Sequence, residues 1–376
     1  MKIGIVALNY VPGTIGGAES YYVDLIKYLQ EIDHKNQYVI FMRDAYSDLV
    51  PVSNNFTIKL VTHSKLSLMV AKILKKFLKY DMQQALINNQ HCDVLHFPFQ
   101  VVDFFGLRAR VISTAIDIQE EFYPENFTPE DLVNRKRLHA LSVERSDYLI
   151  AISDFTRDTY LEKYKIKKSK ISTVHLSYNE ALYNTVKHNN TLDLPKKYFY
   201  YPAATWPHKN HEALLRAFAV FVRSNPGYSL VLSGIKKQKA NDIHTLAEDL
   251  HISSNVVMLG YVERESLPEL HQRSVAVVFP SLFEGFGIPL LEAMACGAPV
   301  LCSKTTSLPE VGGDAAIYFD PTDPRAIADA MARIAEDKEL RSTLTKKGLA
   351  QAEKFSARKT AEQTLEIYRK IGAQDA

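Results

Sequence analysis

The chain has 376 residues, of which 46% are hydrophobic and 23% charged, and its 45 Lys and Arg against 43 Asp and Glu leave a formal net charge of +2. This length predicts two domains, each large enough for its own core, and the composition is that of a globular protein. So small a net charge gives no support for a nucleic-acid partner, and no apolar run reaches the roughly 18 residues of a membrane span.

The cysteines and the N-terminal residues indicate in which cellular compartment the protein is expected. Cys92, Cys296 and Cys302 have neither the number of a disulfide framework nor the spacing of metal ligands, so we expect a reducing cytoplasm. Residues 2–8 are typical of a buried strand. Because they include no charged leader or cleavage site, we expect no signal peptide.

Short apolar runs alternate with helical patterns along the whole chain. Strands are predicted near 2–8, 37–42, 57–61, 93–97, 109–114, 148–152 and 171–175, and then near 197–203, 228–233, 255–259, 275–280, 299–302 and 316–318. Several runs are continuously apolar, which favours parallel strands covered by helices on both faces. The alternation, occurring twice, predicts two doubly wound α/β sheets with a boundary within 177–196.

Two adjacent glycines, Gly16 and Gly17, follow the first predicted strand and precede a helix expected to begin near Ala18. Glycines at such a place let backbone N–H groups approach a phosphate, although paired glycines also form simple turns. A dinucleotide site requires G-x-G-x-x-G in a tight turn, and the spacing here differs. Asp44 after the second strand keeps that alternative open, because an acid there can bind a ribose.

A helical pattern over 65–80 separates an apolar face from a basic face. The apolar face holds Leu66, Met69, Val70, Ile73 and Phe77, and the basic face holds Lys72, Lys75, Lys76 and Lys79. Such a helix either lies on the anionic lipid of a membrane surface or is a surface helix with solvated lysines. Both interpretations stay open.

Two further loops follow apolar strands, at the ends where open α/β sheets bind ligands. Asp117 is either a ligand-binding carboxylate or a helix cap or turn residue. Lys209 lies near a helix N-terminus, where a cation is unfavourable unless a phosphate lies between them; the alternative is an exposed loop lysine. His208 and His211 are expected to be surface histidines, since no third residue has metal spacing with them.

The stretch 280–297 runs from an apolar strand through a glycine loop into a short helix. Pro289 suits the first helical position, and Gly297 suits the left-handed position past the helix end. Free N–H groups and the helix dipole beside Gly285 and Gly287 form an anion site.

Two glutamates flank this anion site, Glu284 in the loop and Glu292 on the helix. A carboxylate accepts two hydrogen bonds side by side, and a vicinal diol donates two. Glu292 is therefore suited to a ribose whose diphosphate lies at the helix N-terminus. The alternative is a pair of surface glutamates.

The spacing of Glu284 and Glu292 resembles the E-x7-E signature of the retaining glycosyltransferases of family 4, which have the GT-B fold. The surrounding residues, F-E-G-F-G before Ile288 and E-A-M-A-C-G-A-P-V from Glu292, also resemble that signature. The resemblance covers nearly the whole chain. The other matching segments are Gly16-Gly17, 152–156, 206–210, 259–262 and 307–313.

This resemblance implies two Rossmann-like doubly wound domains facing across a cleft. The acceptor would bind to the first domain, 1–178 with a C-terminal helix at about 357–376, and the donor would bind mainly to the second, 190–356. The last predicted helices lie near 324–335, 338–353 and 357–371.

The resemblance also implies a role for each matching residue. Glu292 would hold the ribose diol, Glu284 would contact the transferred sugar, and Lys209 would neutralise the leaving diphosphate. Asp117, Glu284 and Lys209 are the candidate catalytic residues. The candidate donor-binding residues are Gly16, Gly17, Lys209, Gly234, Tyr261, Glu284, Gly285, Phe286, Gly287 and Glu292. No metal or other cofactor is implied, and the chain has no Asp-x-Asp at the corresponding place.

Two positions depart from the family pattern. Ile116 stands where many members carry a histidine, so that role falls to Asp117 or to a neighbour such as His96, or is lost. Residues 203–205 stand where many members carry an arginine, and Lys236 or Lys237 is a candidate replacement.

These features predict a metal-independent, retaining transferase that moves a hexose from a nucleotide diphosphate sugar to a hydroxyl of a glycan or lipid-linked acceptor. GDP-mannose is the first expected donor and a UDP-hexose the second. The enzyme is expected in the cytoplasm, at the inner face of the membrane if the 65–80 helix binds lipid. The alternatives are a nucleotide-sugar-binding protein without activity and an NAD-linked dehydrogenase.

Overall fold

Two compact units make up the chain. The computed structural model describes residues 1–13, 16–43, 46–47, 50, 52–53, 55–61, 81–186, 192–234 and 240–373. Contacts assign Met1–Leu176 and Ala357–Ala376 to the first unit and Ser177–Ser356 to the second. The predicted 65–80 helix lies outside the described residues, as do Asp44, Lys236 and Lys237. No helix among the described residues is long and apolar enough to cross a membrane.

The first unit is built on a seven-stranded parallel sheet in the order β3-β2-β1-β4-β5-β6-β7. Its strands are β1 (Lys2–Val6), β2 (Gln37–Met42), β3 (Phe56–Leu60), β4 (Val94–Phe97), β5 (Arg110–Ala115), β6 (Tyr148–Ala151) and β7 (Ile171–Thr173). Its described helices before the second unit are α1 (Gly17–Ile32), α2 (Met82–Asn88), α3 (Pro129–Arg145) and α4 (Asp154–Tyr164). Every residue of β4 and β6 is buried, as expected for central parallel strands covered on both faces.

The second unit repeats this plan with six parallel strands in the order β10-β9-β8-β11-β12-β13. They are β8 (Tyr198–Pro202), β9 (Ser229–Ser233), β10 (Val256–Gly260), β11 (Ala276–Phe279), β12 (Val300–Ser303) and β13 (Ala316–Phe319). Its helices within the described residues are α5 (His211–Ser224), α6 (Ala240–Asp249), α7 (Leu267–Arg273), α8 (Ile288–Ala295), α9 (Leu308–Gly312), α10 (Pro324–Glu336) and α11 (Lys338–Ala352). The two predicted doubly wound sheets are therefore confirmed.

The last helix, α12 (Ala357–Gly372), returns to the first unit and packs against α1. Its buried residues recur three or four positions apart, which gives the helix one apolar face. The Thr360 hydroxyl donates to the carbonyl of His175 at 2.8 Å. The end of the chain thus completes the core of the first unit.

Each sheet changes its winding direction once, between β1 and β4 in the first unit and between β8 and β11 in the second. The chain leaves these two strands toward opposite sides, so a crevice opens beyond their carboxyl ends, where open α/β sheets bind ligands. In the second unit, the loops at this point are 203–210 after β8 and 280–287 after β11. These loops contain Lys209 and Glu284.

Candidate active site

The glycine loop after β11 leads into α8 as the sequence predicts. Gly287 precedes the helix at φ 113°, and a Cβ there would lie 2.8 Å from Leu308 Cδ2. Pro289 lies in the first turn, and Gly297 adopts φ 77° just past the helix end. Both the backbone conformation and the close approach of Leu308 require glycine at position 287.

The loop is held by hydroxyl groups from the segment after β12. Ser307 Oγ donates to the carbonyls of Glu284 and Phe286 at 2.9 and 2.8 Å. The N–H of Glu284 donates to Thr306 Oγ1 at 3.2 Å. Ser307, the first residue of the segment 307–313 that resembles a family segment, therefore fixes the glycine loop.

Lys209 and Glu284 meet at the switch point of the second sheet. Lys209 Nζ lies 2.5 Å from Glu284 Oε1, and the two side chains are 18% and 12% exposed. The sequence placed both residues at a donor site but gave no sign that they form an ion pair, because 75 residues separate them.

Hydrogen bonds to main-chain carbonyls fix the two loops and hold them against each other. The Tyr201 hydroxyl donates to the carbonyl of Lys209 at 2.8 Å, and the N–H of Leu282 donates to the carbonyl of His208 at 2.8 Å. Asn210, at φ 58°, donates from its side-chain amide to the carbonyl of Pro280 at 3.1 Å. The ion pair therefore sits on two loops whose main chains are already fixed.

The ion pair sets the charges at this point of the site. Burial is the largest single effect on Glu284 and raises its pKa, but the Lys209 charge and hydrogen bond, together with His208 and a hydrogen bond from Ser281, leave the net pKa lowered. Burial, together with the Lys209 charge, lowers the pKa of His208 to about 4, so this imidazole is neutral at pH 7. His211 is 6% exposed and packs against Tyr201, so the expectation of a surface histidine is wrong for it.

Glu292 lies half-buried on α8. Burial raises its pKa to about 7, against the opposing effects of the Arg264 charge and a hydrogen bond from the Tyr183 hydroxyl. Neither Arg264 nor Tyr183 was singled out from the sequence, since no spacing pattern links them to Glu292. This carboxyl therefore changes protonation state near neutral pH.

Other candidate donor-binding residues lie on nearby parts of the second unit. Gly285 is half-buried, and the ring of Phe286 is buried against Phe355. Tyr261 follows β10 and is 67% exposed, so its ring is free to meet a ligand.

Gly234 brings the ends of β8 and β9 together. It adopts φ 138°, and a Cβ there would lie 2.4 Å from the carbonyl oxygen of Ala203. Its N–H donates to the carbonyl of Gly260 at 2.7 Å. A shallow cavity lies beside this contact, lined in part by Thr205, Ser233 and Met258.

In the first unit, the paired glycines lie at the start of α1. Gly16 is the N-cap at φ 59°, and Gly17 is the first helical residue. The N–H of Gly13 donates to Glu19 Oε2 at 2.8 Å. The helix predicted to begin near Ala18 is confirmed and begins at Gly17.

Asp117 lies two residues beyond β5, where its carboxylate accepts from the N–H of Gln119 at 3.2 Å. The Gln100 side chain clamps this backbone, accepting from the N–H of Ile116 and of Asp117 at 2.7 and 3.0 Å and donating to the carbonyl of Asp117 at 2.7 Å. Burial raises the pKa of Asp117. Gln100 was missed from sequence because its partners lie on a different strand loop.

His96 is not a substitute for the histidine missing at Ile116. It is fully buried, with Nδ1 2.6 Å from the Tyr368 hydroxyl and Nε2 2.8 Å from Thr114 Oγ1. Burial lowers its pKa to about 3. Nδ1 contacts α12 and Nε2 contacts β5, so both ring nitrogens are used within the core and the His96 alternative is wrong.

A cavity of about 360 Å³ opens at the carboxyl ends of β1, β2 and β4 in the first unit. Three phenylalanines contribute apolar surface, and Asn9, Arg43 and several acids and amides contribute polar groups. Its lining includes Phe97, Phe99, Phe104, Asp81, Gln83 and Asp103. A mixture of aromatic faces and hydrogen-bonding side chains is suited to a small polar ligand with apolar C–H faces.

Comparison with known proteins identifies relatives of both halves. Residues 15–181 match the family described as Glycosyltransferase Family 4, and residues 184–351 match Glycosyl transferases group 1. The chain is 30% identical to O-antigen chain mannosyltransferase B of Escherichia coli over 98% of this chain and 100% of that protein.

Solved structures share the fold over nearly the full length. Sucrose-phosphate synthase from Thermosynechococcus elongatus superposes with a TM-score of 0.79 at 21% identity, covering 99% of each chain. HepE of Anabaena, solved in complex with UDP-glucose, superposes with a TM-score of 0.75 at 18% identity, covering 98% of this chain and 100% of that one.

Proposed function

Because the chain belongs to the glycosyltransferases of the GT-B fold, we propose that it transfers mannose from GDP-mannose to a hydroxyl of a growing polysaccharide. The support for mannose is the full-length similarity to an O-antigen chain mannosyltransferase. A UDP-hexose is the second donor, in keeping with the UDP-glucose bound to a protein of the same fold. The NAD-linked dehydrogenase considered from the sequence is wrong, since the chain is a glycosyltransferase.

The observation that supports this donor site best is the meeting of Lys209 and Glu284 beside the glycine loop. The ammonium is placed to neutralise the charge that develops on the leaving diphosphate. In this proposal the largely buried Glu284 carboxylate accepts hydrogen bonds from the hydroxyls of the sugar. Glu292 takes the ribose diol, with the N-terminus of α8 beside the diphosphate.

We also propose that transfer needs no metal ion, because groups of the protein supply the positive charge beside the diphosphate. Lys209 supplies a fixed cation, and the N–H groups at Gly285, Phe286 and Gly287 supply partial positive charge. We expect full transfer activity in the presence of EDTA. A requirement for Mg²⁺ or Mn²⁺ would contradict this part of the proposal.

We further propose that the transfer retains the anomeric configuration of the sugar. The transition state is oxocarbenium-like, and the acceptor hydroxyl attacks the face that the diphosphate leaves. Proton NMR of the first product formed decides the point: an α-linked product from GDP-α-mannose is expected, and a β-linked product would contradict retention.

For the acceptor, we propose the neutral, non-reducing end of a glycan, free or linked to lipid. The cavity of the first unit supports this, since its phenylalanines suit the C–H faces of a hexose and its amides and acids suit the hydroxyls. Asp117 lies in the same unit and is the candidate base or orienting group for the acceptor hydroxyl.

We propose that the predicted 65–80 helix contacts the inner face of the membrane from the cytoplasm. The test is sedimentation of the full-length protein with vesicles containing phosphatidylglycerol. Binding should fall when Lys72, Lys75, Lys76 and Lys79 are replaced by Gln, and equal binding by both proteins would contradict the proposal.

A nucleotide-sugar-binding protein without turnover is the second candidate function. It is favoured by Ile116 in place of the family histidine and by the absence of an arginine at 203–205. A thermal-shift screen of nucleotide sugars, followed by intact mass of the products, separates the two. Stabilisation by a nucleotide sugar without any product would favour the binding protein.

A further inference from the structure

In the structure, the Glu284 carboxylate is paired with Lys209, the cation that the donor diphosphate needs. Lys209 Nζ and Glu284 Oε1 are 2.5 Å apart, and both side chains are largely buried. Building on the proposed function, we propose that Glu284 makes the enzyme selective for the sugar-loaded donor over the bare nucleoside diphosphate. Glu284 stays paired with Lys209 unless the hydroxyls of a sugar replace Lys209 as its partner. The role is one of specificity and product release, beyond contact with the transferred sugar.

Hydrogen bonds hold the main chain on both sides of the ion pair. Lys209 is fixed through its carbonyl by the Tyr201 hydroxyl, and Glu284 is fixed through its N–H and carbonyl by Thr306 and Ser307. The loops are fixed to each other as well, by the hydrogen bond from Leu282 to His208. Moving the loops apart would break these hydrogen bonds, so we expect a ligand to replace the ion pair at the two side chains.

A complete donor provides both replacements. Its diphosphate takes the Lys209 ammonium, and the hydroxyls of its sugar donate to the Glu284 carboxylate. Each charged group leaves one partner and gains another, so neither is left buried without compensation.

A bare nucleoside diphosphate provides only one replacement. If Lys209 turns to the phosphate, the largely buried Glu284 carboxylate keeps its hydrogen bond from Ser281 but loses the Lys209 charge and gains no sugar hydroxyls. If Lys209 stays with Glu284, the diphosphate lacks its cation. Either outcome weakens binding of the bare diphosphate, because a charge left unpaired in a partly buried site is unfavourable.

Weaker binding of the bare diphosphate than of the complete donor favours turnover. Once the sugar has left for the acceptor, Glu284 loses its hydroxyl partners and competes with the diphosphate for Lys209. Re-formation of the Lys209–Glu284 ion pair then helps to release the product.

The test is isothermal titration of the full-length protein with GDP and GDP-mannose and with UDP and UDP-glucose. Glu284→Gln keeps the side-chain shape and removes the charge, so Lys209 becomes available to phosphate. We expect this variant to bind the bare diphosphate about tenfold more tightly, a change of about 1.4 kcal/mol, and the nucleotide sugar no more tightly. The ratio of the two dissociation constants then shifts by about tenfold or more.

Two controls separate release of Lys209 from a general loss of negative charge. Glu292→Gln removes one carboxylate from the same segment, but the ribose it meets is common to both ligands, so the ratio should stay at the wild-type value. In a Lys209→Met background, the gain from Glu284→Gln should disappear, as a double-mutant cycle measures directly.

The inference is overturned if the wild type binds nucleotides but Glu284→Gln leaves the ratio unchanged, or if its gain survives in Lys209→Met. Either result leaves the proposed function standing when the wild type still transfers sugar. Failure of the wild type to bind any of the four nucleotides counts against the proposed function and removes the basis of the inference with it.

Discussion

Glu292 is a candidate site residue whose charge changes near neutral pH. Burial raises its pKa to about 7, so the carboxyl is largely protonated at pH 6 and ionised at pH 8. A carboxylate accepts two hydrogen bonds from a ribose diol, whereas the protonated acid offers one acceptor fewer. The donor should therefore bind more weakly at the lower pH.

The expected result is a loss of GDP-mannose affinity in the wild type as pH falls from 8 to 6, with a midpoint near 7. Titration calorimetry across this range measures it. Glu292→Gln cannot titrate, so its affinity should be lower at pH 8 and should lack that step. An identical pH profile in both proteins would assign the titration to another group.

Glu292→Gln should weaken donor binding at pH 8 but should increase the free energy of unfolding at that pH. An unfolded glutamate has a pKa of about 4.3, so its value is raised on folding. The unfavourable contribution of ionising this buried carboxyl is absent below the unfolded pKa, grows as pH rises, and is complete above about 7. A substitution that removes the Glu292 charge should therefore increase the free energy of unfolding only as pH approaches and passes about 7.

We expect Glu292→Gln to raise the free energy of unfolding by on the order of 1 kcal/mol at pH 8 and to leave it nearly unchanged at pH 4.5. Urea denaturation at the two pH values is the measurement. A variant less stable than wild type at pH 8 would mean that the hydrogen bond from Tyr183 and the Arg264 charge outweigh the burial of Glu292.

At the scale of elements, the donor site depends on loops that touch through their main chains. Gly234 after β9 lies so close to Ala203 after β8 that a Cβ would fall 2.4 Å from the carbonyl oxygen, and its φ of 138° is unfavourable for any other residue. A side chain there must push the two loops apart, and the 203–210 loop carries Lys209.

Gly234→Ala should lower the free energy of unfolding by on the order of 3 kcal/mol and weaken donor binding in the protein that remains folded. The matched control is Gly227→Ala, because a Cβ at Gly227 meets open space. Its stability should stay within about 0.5 kcal/mol of wild type. Equal denaturation midpoints for the two variants would show that the loops separate without cost.

The elements themselves could be predicted from the sequence to a large extent. Continuous apolar runs such as 275–280 are sufficient to identify parallel strands, and glycine and proline positions define the ends of α8. Both signals are local, since each depends on residues that are neighbours in the chain. The anion site at the glycine loop could be proposed for the same reason.

Contacts between distant elements could not be predicted. The Lys209–Glu284 ion pair and the Gln100 clamp on Asp117 depend on which strands are neighbours in the sheet, and the burial of His96 against Tyr368 depends on where α12 packs. Strand order is set by packing over the whole unit rather than by any short segment. For this reason His96 looked available as a ligand from the sequence and proved to be part of the core.

At the scale of the whole molecule, the chain is a glycosyltransferase with two Rossmann-like units, and α12 returns to complete the first. Each unit presents its own crevice at the switch point of its sheet. The proposal assigns the donor to the second unit and the acceptor to the first, which leaves each substrate its own binding surface. The central claim is that Lys209, Glu284 and Glu292 form the donor site of a working transferase.

The most direct test is the initial rate of sugar transfer from GDP-mannose, and from UDP-glucose in parallel, to a panel of α-mannosyl oligosaccharides. The full-length wild type and Glu284→Ala are compared, with the products read by mass spectrometry. We predict that the wild type adds a hexose to an acceptor and that Glu284→Ala is slower by roughly 100-fold or more. Equal rates in the two proteins, whether both are active or both stay at background, would contradict the claim.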